Sequence, residues 1–597
     1  MGRTVDVLDN ETKSKIKYQI SKMTDQRLKK VKVFLILLSI FITGSFLRLW
    51  KIDKYPVGFT PDEAAQGYTA YSILTTGRDE WGVKFPLNPR SFGDFKPPLQ
   101  TYLIVPSVAV LGLNEFAVRL PNALLGSLAI LGTFLLAKEL FGLSVGMLSA
   151  GMLAFSPWNI QLSRGAFEAN LTVFFISFGI YFLLKAFKSR KVIWQILAAL
   201  FLGLNMFSYH SPKLLTPVIT LLFIIYCLLF IKEEKRKGNF KTYFRKYFIF
   251  YILYFIFFLV AFSSFFAGGQ RRGLDIAIFH PTDNWLAVKD ERYFAVKNGL
   301  PDTMARLFHN KLTYSLSLFF RNYFSYFSPQ FLFSEGPAEG SYGMNPSRGV
   351  LWWWELPILV FGLACFFKKP TKKAGLVLLL ILLSPVPAAL TKGERMANRA
   401  AGMMPFIQML TAVSIWKLKV KSEKLKIRNI RISSMFLYLY VFVFLLFFVF
   451  FLEDYFIQSP RKVTKQMLYG RCEAIRKIVN YEDKAETIIV SRKLSEPQAY
   501  IAFCLKFAPN LVQYESRQWL DYEKRNLSFL DQLGEYKLRK YIFRELNWVS
   551  DSKLENAILI GGPDEFPKGA DNKFTVFYPK SENPAVMIYF TNKNILF

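Results

Sequence analysis

The sequence predicts an α-helical polytopic membrane protein with about eleven spans, followed by a small α/β domain outside the membrane. Three observations carry that prediction. The chain has 597 residues, is 52% hydrophobic and holds 61 Phe, which over long runs is too apolar for a soluble domain. Apolar windows near the roughly 20 residues needed to cross a bilayer recur along the first three quarters of the chain. After Leu452 those windows stop, and short strand-like runs alternating with helical stretches take their place.

The windows fall at 33–49, 120–141, 143–158, 171–187, 192–209, 214–231, 247–267, 350–367, 374–391, 400–416 and 435–452. The net charge of +32 raises the question of nucleic acid, but its distribution answers otherwise. The dense basic runs are KSKIKYQISKMTDQRLKKVK before the first window, KAFKSRK at 185–191, KEEKRKGNFKTYFRK at 232–246, KKPTKK at 368–373 and KLKVKSEKLKIRNIR at 417–431. They sit in alternate loops between spans, as the positive-inside rule requires of cytoplasmic loops. Residues 1–32 are therefore expected in the cytoplasm, 33–452 as the membrane unit, and 453–597 outside, in a cell membrane and without a nucleic-acid partner. No cleavable signal is evident, because the first apolar run lacks a small-residue cleavage site.

Residues 99–113 break the alternation. This run is short, begins after Pro97 and Pro98 and is interrupted by Pro106, so it is expected to lie at the outer surface as a re-entrant or interfacial helix. The outer loops are then 50–119 and 268–349, the latter with an amphipathic aromatic stretch, MARLFHNKLTYSLSLFFRNYF, suited to lipid head groups. In the outer domain the strand runs are TIIV (487–490), AILI (557–560), FTVFY (574–578) and AVMIYF (585–590). Gly561-Gly562 is too little for a nucleotide loop. Cys227 and Cys365 fall in apolar windows as small apolar side chains. Cys472 and Cys504 share the outer domain, where their pairing stays open.

The chemistry-bearing residues gather on the outer side. Thr60-Pro61-Asp62-Glu63 reads as a helix start, with Thr60 as N-cap, Pro61 at the first position and Glu63 at the capping-box position. Asp62 is then a carboxylate at a helix N-terminus beside lipid, where the helix field favours its ionised form and general-base work. Lys96-Pro97-Pro98 holds an ammonium at a fixed corner. In SPWNIQLSRGAFEANL, Arg164 and Glu168 are four apart and are expected to share a helix face. Tyr209-His210-Ser211-Pro212-Lys213 places polar groups where lipid would otherwise be, a costly arrangement that points to function. His210 has no ligand-spaced partner and is expected to hydrogen-bond rather than bind metal, so no metal site is assigned. In GERMANR (393–399), Arg395 and Arg399 are spaced for one helical face and suit phosphate oxygens. His280 and His309 are expected to be surface or packing residues.

Together DEA-x-x-GY-x-A, the Lys-Pro-Pro corner, Glu-Phe-Ala-Val-Arg-Leu-Pro (115–121), the Arg-Glu element, Tyr-His before a proline and NYFSYFSPQFLF resemble the GT-C glycosyltransferases. The resemblance is to the branch holding protein O-mannosyltransferases and lipid A aminoarabinose transferases, that is, glycosyltransferase family 39-like enzymes. It implies a catalytic set of Asp62, Glu63 and Glu168. Substrate contacts would come from Lys96, Arg119, Arg164, Tyr209, His210, Lys213, Arg395 and Arg399. The aminoarabinose transferases carry Lys-Pro-Pro where the mannosyltransferases tend to have His before the prolines, and Phe95 stands where the former pattern has an acidic residue.

The expected function is transfer of a sugar from a polyprenyl-phosphate donor to an extracytoplasmic protein, glycolipid or polysaccharide by inverting displacement. No cofactor is assigned, although Asp62 and Glu168 leave room for a divalent ion. Two other classes share the outer basic loops: a lipid-linked sugar transporter or flippase, and a polysaccharide polymerase or ligase. A transporter needs polar residues along a path through the bilayer, whereas here the charges gather at one face.

Overall fold

The computed structural model describes residues 10–91, 93–189, 191–230, 246–264, 266, 277–338, 340, 342–422, 426–427, 430–525, 527, 530–571, 573–592 and 595. The basic run 232–246 lies outside the described residues except for Lys246, as does the start of the 268–349 loop. The chain opens with α1 (Asn10–Leu49), α2 (Pro61–Thr76), α3 (Pro98–Leu111), α4 (Glu115–Phe141), α5 (Leu143–Ala154), α6 (Pro157–Ser163), α7 (Leu171–Ser189), α8 (Val192–Asn205) and α9 (His210–Phe230). Further apolar helices follow at Phe248–Ser264, Glu355–Lys368, Lys372–Leu383, Met404–Ser422 and Ile432–Glu453. Every apolar window of the sequence thus holds a helix.

Among the described residues, five helical stretches are long and apolar enough to cross a membrane: Arg27–Leu49, Glu115–Phe141, Glu168–Ser189, Lys372–Ala389 and Tyr438–Lys462. α3, α5, α8 and the Phe248–Ser264 helix are shorter, α5 being 12 residues, or about 18 Å at the α-helical rise. The segment read as re-entrant is helix α3, with Pro106 inside it. Its buried Ile104 and Val108 lie one turn apart, in one core with Ala64, Ala65 and Tyr68 of α2 and Val118 of α4.

A buried polar network sets the turn between α6 and α7. Asn122 of α4 donates to the carbonyls of Leu162 (2.8 Å) and Gly165 (2.5 Å), while Asn159 donates to Asn170 (2.9 Å). Gly126 makes this approach feasible, because a Cβ there would stand 2.2 Å from Ser163 Oγ and 2.9 Å from Asn170 Nδ2. Arg48 of α1 completes the network through Asn159 and the carbonyls of Leu153 and Ala154. Each donor has a partner, as burial demands.

The C-terminal region holds a six-stranded mixed sheet in the order Tyr536–Leu538, Tyr541–Phe543, Thr487–Val490, Ala557–Gly561, Pro584–Phe590, Lys573–Phe577. The central Thr487–Val490 pairs in parallel with both neighbours. Alternation along the strands sorts the side chains by face. Ile489, Leu559 and Met587 form a small core on one side, and Ile488, Ile558, Ile588 and Phe590 face the other. That second core is continuous with Phe59, Ala64, Tyr68 and Ile104, so the sheet domain and the α2–α3 region share one apolar interior.

Candidate functional site

The site is built where α2 and α3 begin. Thr60 caps α2 as its sequence predicts: its hydroxyl accepts from Glu63 N at 3.3 Å, and Glu63 Oε2 accepts from Thr60 N at 3.0 Å. Glu63 also meets the Arg119 guanidinium at two points (2.8 and 3.1 Å) and accepts from Ala166 N at 3.1 Å. Arg119 spends its remaining donors on the carbonyls of Ile52, Pro56 and Gly58. Both side chains are fully buried. With five N–H groups in all, Arg119 has each one matched to a carboxylate or carbonyl oxygen, an arrangement that clamps α2 and the 52–58 turn onto α4. Glu63 likewise ties helix start, α4 and the 165–166 turn together.

Asp62, one residue earlier, turns the other way. A two-strand hairpin (Arg90–Ser91 with Asp94–Phe95) leads into the Lys-Pro-Pro corner, where Lys96 N donates to Pro89 O at 2.8 Å and Pro98 opens α3. The Lys96 ammonium then stands 2.7 Å from Asp62 Oδ1. The lysine side chain is 9% exposed and the aspartate 43%, so the cation is seated in protein and the carboxylate reaches outward.

Arg164 and Glu168 do not share a helix. Arg164 ends α6, and its guanidinium donates to Leu47 O and Trp50 O (both 2.6 Å) over the Phe456 ring. Glu168 lies in a 3₁₀ turn and accepts from Gln66 Nε2 at 2.7 Å. The Asn159–Asn170 network bends the chain between them, which the four-residue spacing could not reveal. Arg164 is thus a buried clamp on the end of α1. Gln66 lies one turn beyond Asp62 on the same face of α2 and was missed in the sequence, where only its position within the DEA-x-x-GY stretch marked it. Lys213, in the first turn of α9, donates to Ser264 Oγ at 3.1 Å and feels the Glu168 carboxylate.

The 391–399 segment is a loop rather than a helix, which undoes the shared face expected of Arg395 and Arg399. Arg395 has a positive φ of 51° and pairs with Glu335, while Arg399 donates to Thr391 Oγ1 and Lys392 O at 2.6 Å. Asn398 of this loop donates to Tyr209 OH at 2.8 Å, which brings the loop against the start of α9 beside His210.

The sheet domain seats the whole arrangement. Tyr500 OH donates to Phe59 O at 2.7 Å, the Phe59 and Phe503 rings lie 4.9 Å apart, and Tyr68 OH donates to Phe507 O at 3.0 Å. Gly93, at the hairpin turn with φ +99°, rests against Tyr522, whose ring a Cβ would meet at 3.2 Å. Glu496 opens the helix Pro497–Cys504, and Gln498 donates to it at 2.7 Å. Burial pushes the Glu496 carboxyl well up. The negative charges of Asp531 and Asp62 push the same way, and the Lys96 ammonium opposes them. Cys472 and Cys504 form a disulfide in this domain, which closes the question the sequence left open.

Among the described residues no three His, Cys, Asp or Glu side chains converge as a metal-binding group. The ionic site is instead Asp62 with Lys96, and Glu168 with Gln66 and Lys213.

Residues 95–264, from the hairpin through the Phe248–Ser264 helix, match the family described as dolichyl-phosphate-mannose-protein mannosyltransferase. Over 203 residues the chain is 28% identical to the protein of Bacillus subtilis (strain 168) named "Putative mannosyltransferase YkcB", covering 34% of this chain and 27% of that one. Over this stretch the chain is therefore similar to membrane mannosyltransferases. The matched part spans only about a quarter of YkcB's length. Two solved structures are also similar to this chain. ArnT from Cupriavidus metallidurans bound to undecaprenyl phosphate is 11% identical with a TM-score of 0.48, over 95% of this chain and 98% of that one. The archaeal oligosaccharyltransferase AglB from Archaeoglobus fulgidus, in complex with an inhibitory peptide and a dolichol-phosphate, is 14% identical with a TM-score of 0.45, over 80% and 64% of the two chains.

Proposed function

We propose that this protein is a membrane glycosyltransferase that moves a sugar from a polyprenyl-phosphate donor to an acceptor on the outer side of the membrane. The observation that carries the reading is the Asp62–Lys96 pair at 2.7 Å, with its carboxylate open to solvent and its ammonium seated in protein. An acceptor hydroxyl attacks the anomeric carbon, Asp62 takes its proton, and the bond from that carbon to the phosphate oxygen breaks with inversion. General-base help of this kind is typically worth about 10²- to 10⁴-fold. The electron pair leaves with the polyprenyl phosphate, whose gained charge Lys96 and Lys213 stabilise where water is scarce. Glu168, held by Gln66, faces Lys213 and sets that ammonium's position. The family match over residues 95–264, the five span-length helices among the described residues and the placement of these groups around the start of α2 all support this reading.

The test is incubation of the purified protein, in lipid, with polyprenyl-phosphate mannose and cell-envelope extract. Labelled sugar should move covalently to an envelope component and free polyprenyl phosphate should appear. A transporter would leave the sugar–phosphate bond intact, and that result would overturn the proposal.

A further inference from the structure

Two glutamines beside the Asp62–Lys96 pair are buried with hydrogen-bonding groups left over. Gln66 is 2% exposed and Gln100 is not exposed at all. Gln66 Oε1 has no hydrogen-bond partner among the described residues, and neither has Gln100 Oε1 or Gln100 Nε2. An amide sealed from water without partners costs roughly 1–3 kcal/mol per group, so a chain keeps such groups only where something offsets the loss.

Their placement puts them on two helices that start side by side at the Asp62–Lys96 pair. Lys96 touches Asp62, so α2 and α3 start at the same end. Gln66 follows Asp62 by one turn of α2. Gln100 precedes Ile104 and Val108 by one and two turns of α3, on the face that packs into the core shared with Ala64, Ala65 and Tyr68 of α2. Leu99 N, next to Gln100, donates to Phe207 O at 3.3 Å, which brings the same end of α3 to the segment leading into Tyr209 and Lys213.

The chemistry of the unmet groups selects the ligand. The Gln66 amide is oriented by its contact with Glu168, since a carboxylate accepts and the Nε2 side must face it. Its oxygen therefore waits for a donor. A phosphate only accepts and cannot supply one, whereas a hydroxyl both donates and accepts. Gln100, with one acceptor and two donors unmet, suits a pair of neighbouring hydroxyls.

We infer that Gln66 and Gln100 bind the hydroxyls of the glycosyl moiety carried by the lipid donor, an inference that rests on the glycosyl-transfer reading above. The sugar is thereby held at the start of α3, while the phosphate lies toward the ammonium groups. This division gives the site a means of telling a loaded lipid from a spent one.

The test compares binding of polyprenyl-phosphate mannose and of bare polyprenyl phosphate, without acceptor, to the full protein and to Gln100→Leu in lipid nanodiscs. Thermal unfolding is measured alongside. Gln100→Leu should bind the mannosyl lipid roughly ten-fold more weakly and the bare lipid as before, with an unfolding midpoint no lower than that of the unaltered protein. Equal weakening for both lipids would assign the amides to the phosphate, unchanged mannosyl-lipid binding would leave them to the acceptor or to no ligand, and a lowered midpoint with unchanged selectivity would make Gln100 structural. Each of these overturns this inference alone. If the unaltered protein binds neither lipid, the glycosyl-transfer reading fails first and this inference falls with it.

Discussion

Asp62 and Glu63 are neighbours on one helix start and have opposite fates: Asp62 meets Lys96 at 2.7 Å with its carboxylate partly exposed, and Glu63 is sealed against Arg119. Two carboxylates one residue apart point about 100° apart around a helix. Substitution should separate their roles. Asp62→Asn, nearly isosteric but unable to take a proton, should lower transfer at least about 10²-fold while the unfolding midpoint and binding of polyprenyl phosphate stay near normal. Near-normal turnover in this variant would remove Asp62 as the base.

Glu63→Gln should act on stability instead. It keeps a capping-box acceptor but leaves the Arg119 guanidinium buried without its counter-charge. Breaking a buried pair from one side costs about 3–5 kcal/mol. Thermal unfolding and expression of folded protein should both fall, as they should for Arg119→Ala. A fully stable Glu63→Gln would show that hydrogen bonding alone satisfies Arg119.

For the leaving group, Lys96→Met and Lys213→Met should each weaken product inhibition by added polyprenyl phosphate. Arg399→Ala should have a smaller effect, because Arg399 is already committed to Thr391 and Lys392. Inhibition constants measured beside the rate decide this. Unchanged inhibition in both lysine variants would place the phosphate elsewhere.

The Cys472–Cys504 bridge closes a loop with a sequence separation of 32 and anchors the far end of the helix that starts at Glu496. On the chain-entropy account a loop of that size is worth about 3–4 kcal/mol. The Cys472→Ser, Cys504→Ser double variant should unfold earlier and lose activity at a lower temperature than Asp62→Asn unfolds. A thiol-alkylation shift on reduction checks that the bridge forms in cells.

Glu80, between α2 and the hairpin, accepts from Thr69 Oγ1 at 3.0 Å. Burial, with the Asp79 charge adding to it, pushes its carboxyl from 4.5 to about 8. A carboxyl raised by folding binds its proton more tightly in the native state, so its contribution is fully present below about 4.5 and is lost as pH rises through about 8. The unfolding midpoint should fall across that window, and Glu80→Gln should flatten the dependence. An unchanged pH profile in Glu80→Gln would rule out this group as the cause.

The sequence by itself determined the helices, their apolar windows, the outer strands and the cap at Thr60, because these depend on local composition and spacing. It also brought out Asp62 and Lys96, since a proline-fixed corner and a helix start are local devices. It could not tell Arg119, Arg164 and Glu63 from substrate contacts. Their type and spacing fit either role, and only the folded chain shows the arginines donating to the carbonyls of Ile52, Gly58, Leu47 and Trp50, and Glu63 accepting from Arg119, Thr60 N and Ala166 N. Nor could spacing show that Arg164 and Glu168 part at a turn, or that 393–399 is a loop, because distant asparagines and Glu335 decide those backbones. Gln66 and Gln100 carry no charge and form no motif. Their meaning comes from burial and unmet hydrogen bonds, which exist only once α2, α3 and the sheet domain have packed together.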